Sequence, residues 1–384
     1  MRMNMKKVLA VLKKELMLSV SVLAAVIALF ITPPTTALLK NIDWKTLATL
    51  FMMLTVLEGF KKENLFRPVL RLTGRIGSMA GLSFFLIFSV FLSSMFVTND
   101  VSLIIFVPLT ILLFRAGGKE HYILPVISME NIAAVRGSLL MPFGSPQNLF
   151  LFGQSGVSFF TFVLHMSPLF ISSAILLALF ILFLYRKDRR EVITYEVGDV
   201  AGEWPEDRKK QRILYFSLFV VILLTIVTRT TLWPYITVLV LILVLIFDRK
   251  TLLKTDYVLL LTFFCFFVFS ASITANPSIS GFLKSAVSEH EYWWGILLSQ
   301  LISNVPASIV LYPFTTNLSG LLYGVDTAGL VSLIGSLASV INYRIYVREY
   351  PGKGGAFIKT FTLISWAFFL IVVLPGYFLS AWRF

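Results

Sequence analysis

One short polar pattern occurs twice in this otherwise hydrophobic chain, in the same order in each half. Each copy has a Leu-Leu-Lys segment, an Asp–aromatic pair, a polar segment that contains Asn, and a Gly-Ser segment. The first copy consists of Leu38-Leu39-Lys40, Asp43-Trp44, Thr98-Asn99-Asp100 and Gly144-Ser145-Pro146-Gln147-Asn148. The second copy consists of Leu252-Leu253-Lys254, Asp256-Tyr257, Ser303-Asn304-Val305-Pro306 and Gly335-Ser336-Leu337-Ala338-Ser339. Four landmarks in one order indicate a duplicated unit whose apolar segments are broken by Gly, Pro and polar residues.

The composition assigns this repeat to a membrane. Hydrophobic residues make up 57% of the chain, charged residues 14%, and the mean hydropathy is +0.85. Soluble proteins carry about 25% charged residues, and apolar runs of about 18 residues are long enough to cross a bilayer as helices. Such runs recur along the whole length, so we predict an all-α polytopic membrane protein with the lipid bilayer as its surroundings.

The net charge of +13 is explained by the positions of the basic residues. Most of the 33 Lys and Arg residues lie in six segments: 1–15, 61–75, 115–119, 186–212, 249–254 and 344–359. The positive-inside rule assigns these segments to the cytoplasm. The pattern therefore predicts a multi-pass protein of the cell (inner) membrane with a cytoplasmic N-terminus and an external C-terminus, and it disfavours nucleic acid as a partner.

Charge and hydropathy together divide the chain into two repeats of opposite orientation. The first repeat, 1–185, is predicted to contain two spans, a re-entrant hairpin at 78–114, a broken span at 121–152 and a span at 158–185. A charged cytoplasmic linker, 186–212, and a connecting span, 213–230, lead to the second repeat at 231–384. That repeat is predicted to contain a re-entrant hairpin at 293–319 and a broken span at 327–347. The expected fold is an inverted-topology repeat with two re-entrant hairpins and two broken transmembrane helices.

The hairpin tips and broken spans are the candidate binding site. A broken helix frees backbone N–H groups that favour an anion and carbonyl groups that can hold a cation. The alternative is that the polar residues only cap the half-helices. The expected substrate- and ion-binding residues are Thr98, Asn99, Asp100, Arg136, Gly144, Ser145, Asn148, Ser303, Asn304, Gly335, Ser336, Ser339 and Asn342.

Two ionisable residues within the predicted spans stand out, because charge inside a membrane is costly and marks functional sites. Asp100 is the candidate coupling residue, as a proton carrier or a cation ligand; the alternative is a cap of the following helix. Its counterpart in the second half is Val305. Arg136 either contacts an anionic substrate or pairs with Asp100 as a fixed counter-ion.

Other chemistries are disfavoured by what the sequence contains. His121, His165 and His290 are scattered without ligand spacing, and Cys265 is the single cysteine, so we expect no metal or cofactor apart from a possible sodium ion. No Gly-x4-Gly-Lys-Ser/Thr phosphate loop is present, which disfavours ATP-driven transport by this chain. A polytopic enzyme acting on lipid would need paired carboxylates or a His/Asp constellation at one membrane face. A channel would not need duplicated broken spans.

At these motifs the chain resembles the ion transporter superfamily. That superfamily includes arsenical-pump membrane proteins, sodium/proton antiporters, citrate transporters and divalent-anion/sodium symporters. The likeness covers about residues 30–380 and consists of the Asp-Trp landmark, the Asn-containing tips and the Gly-x-Pro-x-Asn break. The Asn99-Asp100 tip is closer to the arsenical-pump and antiporter branch, because the dicarboxylate branch usually has Ser-Asn-Thr at both tips.

The resemblance implies a secondary active transporter rather than an enzyme. Its expected substrate is a small anion or oxyanion, either carboxylate-like, such as citrate, or arsenite-like, coupled to protons or sodium. A sodium/proton antiporter is the alternative within the same class. The resemblance also implies a homodimer in which a transport unit moves against a fixed scaffold.

Overall fold

Helices make up almost all of the regular structure in the computed structural model, which describes residues 15–34, 36–187, 191–193 and 208–384. The N-terminal residues 1–14 and most of the predicted linker at 186–212 lie outside this description. Six of the described helices are long and apolar enough to cross a membrane. The prediction of an all-α polytopic membrane protein is confirmed.

The helices are labelled in chain order. The first half contains α1 (Leu16–Ile31), α2 (Thr36–Lys40), α3 (Trp44–Lys62), α4 (Arg67–Leu72), α5 (Met79–Val97), α6 (Asn99–Ala116), α7 (Ile123–Gly137), α8 (Pro146–Ser155) and α9 (Phe159–Leu184). The remainder contains α10 (Lys209–Val227), α11 (Trp233–Lys254), α12 (Tyr257–Thr274), α13 (Pro277–Val287), α14 (Glu291–Ile302), α15 (Asn304–Leu311), α16 (Leu318–Ala328), α17 (Leu337–Glu349) and α18 (Gly354–Ser380). In the described ranges, short 3-10 turns lie at Thr73–Arg75, Glu120–Tyr122 and Tyr312–Phe314.

The same series of helices occurs in both halves. A long helix (α3 or α12) is followed by a two-helix hairpin (α5–α6 or α14–α15), two short helices separated by an irregular segment (α7 and α8, or α16 and α17), and a last long helix (α9 or α18). Thr98 is the one residue between α5 and α6, and Ser303 is the one residue between α14 and α15. The duplicated sequence pattern therefore corresponds to a duplicated set of helices.

The Asp–aromatic pair has the same role at the start of α3 and of α12. Asp43 accepts a hydrogen bond from the N–H of Thr46 at 2.9 Å, and Asp256 accepts one from the N–H of Leu259 at 2.9 Å. These are N-terminal helix caps. In each half the aromatic residue then donates to a backbone carbonyl five residues earlier, from Trp44 Nε1 at 3.0 Å and from the Tyr257 hydroxyl at 2.9 Å.

Helices α3, α10, α11 and α12, with α1 packed on α12, form a frame. Asp248 interrupts the regular backbone of α11 and accepts hydrogen bonds from three neighbouring side chains. Lys62 Nζ donates to both of its carboxylate oxygens at 2.6 Å, the Tyr215 hydroxyl donates at 2.9 Å and the Thr251 hydroxyl at 2.8 Å. This network ties α3 and α10 to α11. The helix continues to Lys254, although the apolar run alone ends before Asp248.

Two buried apolar clusters divide the remaining helices. One cluster joins the frame to α8 and to the second hairpin with α16, and the other joins the first hairpin to α7, α17 and α18. Helix α6 packs on α17, and α15 packs on α8, so each hairpin contacts the broken span of the other half. The residues expected to form the binding site in the two halves are thereby brought into one region.

The second broken span differs from its predicted bounds of 327–347. Its first helix, α16, begins at Leu318, within the range 293–319 predicted for the hairpin. The Asn317 side chain caps this helix by accepting from the Gly320 N–H at 3.0 Å. Glu291 Oε1 accepts from the backbone N–H groups of Thr316 at 2.8 Å and Asn317 at 2.9 Å. These bonds satisfy backbone donors at the start of the helix and fix its first turn.

The linker segment 191–193 is attached to the first hairpin. The Met79 N–H donates to the Glu191 carbonyl at 2.9 Å, and the Ile193 N–H donates to the Gly77 carbonyl at 3.0 Å. Lys119 Nζ forms an ion pair with the Glu191 carboxylate at 2.5 Å. The linker therefore bridges the two open ends of the hairpin.

Candidate functional site

Both hairpin tips have the same unusual backbone. Thr98 has φ 73° and ψ 154°, and Ser303 has φ 70° and ψ 157°. Non-glycine residues in this region cost about 1–3 kcal/mol each and cluster at functional sites. Neither side chain caps the helix that follows. Capping by these two hydroxyls does not explain their presence at the tips.

The Asn residues that follow belong to the first turns of α6 and α15. Asn99 Oδ1 accepts from the Asp100 N–H at 2.9 Å. The Asn304 N–H donates to the Gly335 carbonyl at 3.2 Å, which joins the second tip to the second break. Among the described residues, Asn304 Nδ2 and Asp100 Oδ1 are buried without a hydrogen-bond partner. Each tip therefore presents polar groups with unused hydrogen-bonding capacity.

Both breaks contain a glycine that a larger residue could not replace without displacing backbone. A Cβ atom on Gly144 would lie 2.4 Å from the Ser138 carbonyl oxygen, and one on Gly335 would lie 2.3 Å from the Ala328 carbonyl oxygen. Ser145 and Ser336 then precede α8 and α17 in extended conformation, without a side-chain cap. Two close turns thus bring the N-terminal ends of α8 and α17 back towards the preceding helices.

A buried carboxylate links the two broken spans. Asp326 of α16 accepts a hydrogen bond from Gln147 Nε2 of α8 at 3.0 Å. Asn148, with its amide oriented so that both polar atoms are satisfied, also donates to the Asp326 carboxylate at 3.0 Å. A second bond joins the two spans where α7 packs against α17: Asn131 Nδ2 donates to Ser339 Oγ at 3.0 Å. Each broken span is therefore bonded to the other by polar side chains.

Three further residues expected in the site, Arg136, Ser339 and Asn342, are buried and form hydrogen bonds between helices. Asn342, like Ser339, lies within α17 beyond the break, and its Nδ2 donates to the Ile127 carbonyl at 2.7 Å. Arg136 is fully buried; its Nε donates to Ser173 Oγ at 3.0 Å and its Nη1 to the Asp326 carbonyl at 3.5 Å. The structure places the guanidinium beside Asp326 rather than beside Asp100.

A cavity of about 510 Å³ opens between the frame and the first hairpin. Of the expected site residues, Thr98, Asp100 and Ser145 line it, together with residues of α3, α12 and α17. Glu58 and Lys61, which form an ion pair at the end of α3, also line it. The residues of the second tip do not line this cavity. The two tips therefore do not share one open pocket; they are connected through the hydrogen bonds between the two broken spans.

The opposite end of α3 is closed by contacts with α8. Gln154 Nε2 donates to Asp43 Oδ2 at 2.8 Å. Arg229, in the connection between α10 and α11, donates to the Phe152 carbonyl and to Ser155 Oγ, the latter at 3.1 Å. The cavity of about 510 Å³ therefore lies towards the Lys61 end of α3, whereas at the Asp43 end these bonds join α3 to α8 beside a smaller pocket of about 120 Å³. We call the first the open end and the second the closed end.

Sequence reasoning missed Asp326 and its partner Gln147. Asp326 lies in the apolar stretch 318–334, and an ionisable residue in such a stretch is a functional candidate in a membrane protein. The sequence analysis did not use this signal, because Asp326 falls between the predicted hairpin, 293–319, and the predicted broken span, 327–347. Gln147 lies within the Gly-Ser-Pro-Gln-Asn motif itself, and its role depends on a residue 179 positions away in the sequence.

The chain is similar to a family of transporters and to two membrane or transport proteins. A family model described as "Citrate transporter" matches residues 8–341, a range that includes both hairpin tips and both breaks. The inner membrane protein YbiR of Escherichia coli K12 is 32% identical over 351 residues, which cover 87% of this chain and 89% of YbiR. The uncharacterized transporter MJ0456 of Methanocaldococcus jannaschii is 29% identical over 344 residues, which cover 89% of this chain and 91% of that protein.

Proposed function

The chain belongs to the citrate transporter family, and we propose that it is a secondary active transporter of a small anion or oxyanion, coupled to protons or sodium. Citrate-like carboxylates are the first substrate class and arsenite-like oxyanions the second. The observation that carries this proposal is that Thr98 and Ser303, at the two tips, adopt the same strained backbone conformation. Paired broken elements of this kind hold substrate and ion in repeat-built transporters.

The helix ends around the cavity favour an anion. Helices α6 and α8 both begin at its wall, at Thr98 and Ser145, and the N-terminal ends of helices carry partial positive charge. Neither of these two residues uses its side chain to cap the helix. The Asp100 N–H already donates to Asn99 Oδ1, and Pro146 has no N–H. The remaining backbone N–H groups of these first turns would bind a carboxylate or oxyanion without a fixed positive side chain at the contact.

Asp100 is the coupling residue in this proposal. It lines the cavity, and one of its carboxylate oxygens is buried without a partner among the described residues. A carboxylate in that position can bind a proton or a sodium ion together with the anion, which offsets the anion's charge during the movement across the membrane.

The two Asp residues of the repeat support alternating access. Asp43 is bonded to Gln154 at the closed end, whereas Asp256, at the same position of the second repeat, lines the open cavity. Closing the Asp256 side and opening the Asp43 side would expose the site to the other face of the membrane.

By the positive-inside rule the Lys61 side is cytoplasmic, with the N-terminus inside and the C-terminus outside. Reporter fusions after residues 200 and 384 should report opposite sides; the same side for both would refute this orientation.

A sodium/proton antiporter is the second candidate. It is favoured by the cavity-facing carboxylate of Asp100, which binds a cation without help from any anion. The two candidates differ in whether the movement of a cation requires an anionic substrate.

The experiment is transport by the purified protein in proteoliposomes under imposed pH and sodium gradients. The panel consists of citrate, smaller dicarboxylates and arsenite. We expect uptake of one of these anions, lost in Asn99→Ala and in Asn304→Ala and kept in the control Asn41→Ala, which replaces an exposed amide. Sodium-driven proton movement with no anion uptake would instead establish the antiporter.

A further inference from the structure

Glu130 is a second carboxyl group inside the membrane region and does not line the cavity that contains Asp100. It lies on α7 and is fully buried. Its Oε1 accepts a hydrogen bond from the Thr110 hydroxyl of α6 at 2.5 Å. Its Oε2 is buried and has no hydrogen-bond partner among the described residues. The group therefore lies at the contact between the first hairpin and the first broken span.

No cationic side chain compensates a charge on Glu130 in the described part of the chain. Helices α5, α6, α9, α17 and α18 and the turn Glu120–Tyr122 pack against α7. Helix α5 has no charged or titratable residue, and those of the other elements are Asp100, Arg115, Glu120, His121, Tyr122, His165, Tyr343, Arg344, Tyr346, Arg348, Glu349, Lys359 and Tyr377. Arg115 forms its ion pair with Glu349. On α7 itself, Arg136 bonds to Ser173 and to the Asp326 carbonyl.

The neighbouring amide side chains direct their nitrogen atoms to groups other than Glu130. Asn131 uses its amide nitrogen on Ser339, and Asn342 uses its amide nitrogen on the Ile127 carbonyl. The amide oxygens of both residues are buried without partners among the described residues. Where α6, α7 and α17 meet, three buried oxygens, including Glu130 Oε2, therefore accept no hydrogen bond from the described part of the chain. An ionised carboxylate would add a charge to a region that already has too few donors.

We propose that Glu130 is a proton-binding group of the transport cycle, separate from Asp100. The neutral acid keeps its carbonyl oxygen on the Thr110 hydroxyl and supplies an O–H donor from the oxygen that now lacks a partner. In the alternate state this O–H bond breaks, the proton passes to water, and the carboxylate remains. The inference rests on the proposed function, because it assigns one step of coupled transport. A proton would turn Oε2 into an O–H donor. Sodium, held by Oε2 and the two amide oxygens without partners, is the competing occupant that the sodium-replacement experiment below distinguishes.

The first test does not depend on transport. Infrared spectra of the purified protein are recorded as the pH is raised from neutral, for wild type, Glu130→Gln and the control Glu120→Gln, which replaces an exposed carboxylate. We expect a band of a buried, protonated carboxylic acid that is absent in Glu130→Gln, present in the control, and lost at high pH. A spectrum unchanged by Glu130→Gln, or a band that persists at every pH, would overturn the proposal.

A second variant covers the case in which Glu130→Gln does not fold. Thr110→Val removes the hydroxyl that donates to Oε1, so the carboxylic acid band should move to higher frequency. An unmoved band would mean that the acid is not Glu130. A band that is absent in sodium buffer and appears only when choline replaces sodium would make the bound cation sodium, which also overturns the proposal.

The second test is functional and uses radiolabelled citrate. In proteoliposomes, Glu130→Gln should retain citrate counterflow but lose at least about tenfold in accumulation driven by a proton gradient. Accumulation equal to wild type would show that the acid is always neutral and merely structural. If wild type does not carry citrate, the proposed citrate specificity fails, whereas the infrared result still decides the state of Glu130.

Discussion

Thr98 and Ser303 occupy the same position of the two hairpins and adopt the same backbone conformation, with φ of 73° and 70° and ψ of 154° and 157°. This region is almost restricted to glycine, and other residues remain there only where their surroundings impose it. Its occurrence at both tips, in residues that do not cap the following helix, indicates that the two hairpins were retained for one shared role.

Replacement of Thr98 or Ser303 by glycine should separate stability from function. Relief of strain is worth about 1–3 kcal/mol, whereas the added freedom of glycine in the unfolded chain costs about 0.5–1 kcal/mol. Thermal unfolding in detergent should therefore occur at an equal or higher temperature, while the transport rate falls because the tip is less rigid. The control Ser285→Gly, within the exposed part of α13, should lose about 0.5 kcal/mol. Equal destabilisation of all three variants would contradict this explanation.

The sequence predicted the tips and breaks because each is a local event. Gly, Pro and polar residues interrupt apolar runs, and Thr98, Gly144 and Ser303 are visible in this way without a structure. The start of α16 was not predictable, because its first turn is fixed by Glu291, 25 residues earlier. Asp326 was missed for the same reason: the predicted broken span began at 327, whereas α16 begins at Leu318 and contains Asp326.

The contacts at the Asp43 end of α3 could not be predicted from the sequence either. Asp43 was recognised as half of a repeated landmark, and its capping role follows from its position before α3. Its bond to Gln154 joins residues 111 positions apart and exists only because α8 reaches the frame on that side. The sequence pattern is the same for Asp256, which makes no such bond in this state and instead lines the cavity.

Gln154→Ala should shift the protein away from the state described here. The lost bond involves a charged acceptor and is worth about 1.5–3 kcal/mol, so the ratio of the state open at the Lys61 end to the alternate state should fall by about tenfold or more. The measurement is the labelling rate of a cysteine at Val101, which lines the cavity, in a Cys265→Ala background. The exposed control Asn41→Ala should label as wild type. If Gln154→Ala also labels at the wild-type rate, the Asp43 contact does not hold the closed end.

Asp100→Asn should uncouple transport from its gradient. The amide keeps the shape and hydrogen bonds of the carboxylate but cannot change charge. The variant should bind substrate and support counterflow, lose gradient-driven accumulation and have a flattened pH–rate profile. Loss of sodium dependence instead would identify Asp100 as a cation ligand. Accumulation with the wild-type pH profile would exclude Asp100 as the coupling residue.

Attachment of the linker to the first hairpin should weaken in acid. The hydrogen bond from Lys119 holds the pKa of Glu191 below its ordinary value of 4.5. A lowered folded-state pKa means that this contact stabilises at pH above 4.5 and is lost as the pH falls through the folded value. The hydrogen-exchange protection of the Ile193 amide should therefore fall in that range for wild type. In Glu191→Gln it should be low and independent of pH; a parallel fall in both proteins would contradict the assignment.

The central claim is that this chain uses an ion gradient to move a small anion uphill. The most direct measurement is the internal concentration of radiolabelled citrate, or of the anion identified by the panel, in proteoliposomes under proton and sodium gradients. The internal concentration should exceed the external one under at least one gradient and should return to equality when an ionophore dissipates that gradient. Equilibration to the external concentration and no further, under every gradient, would contradict coupled transport and would indicate a passive channel.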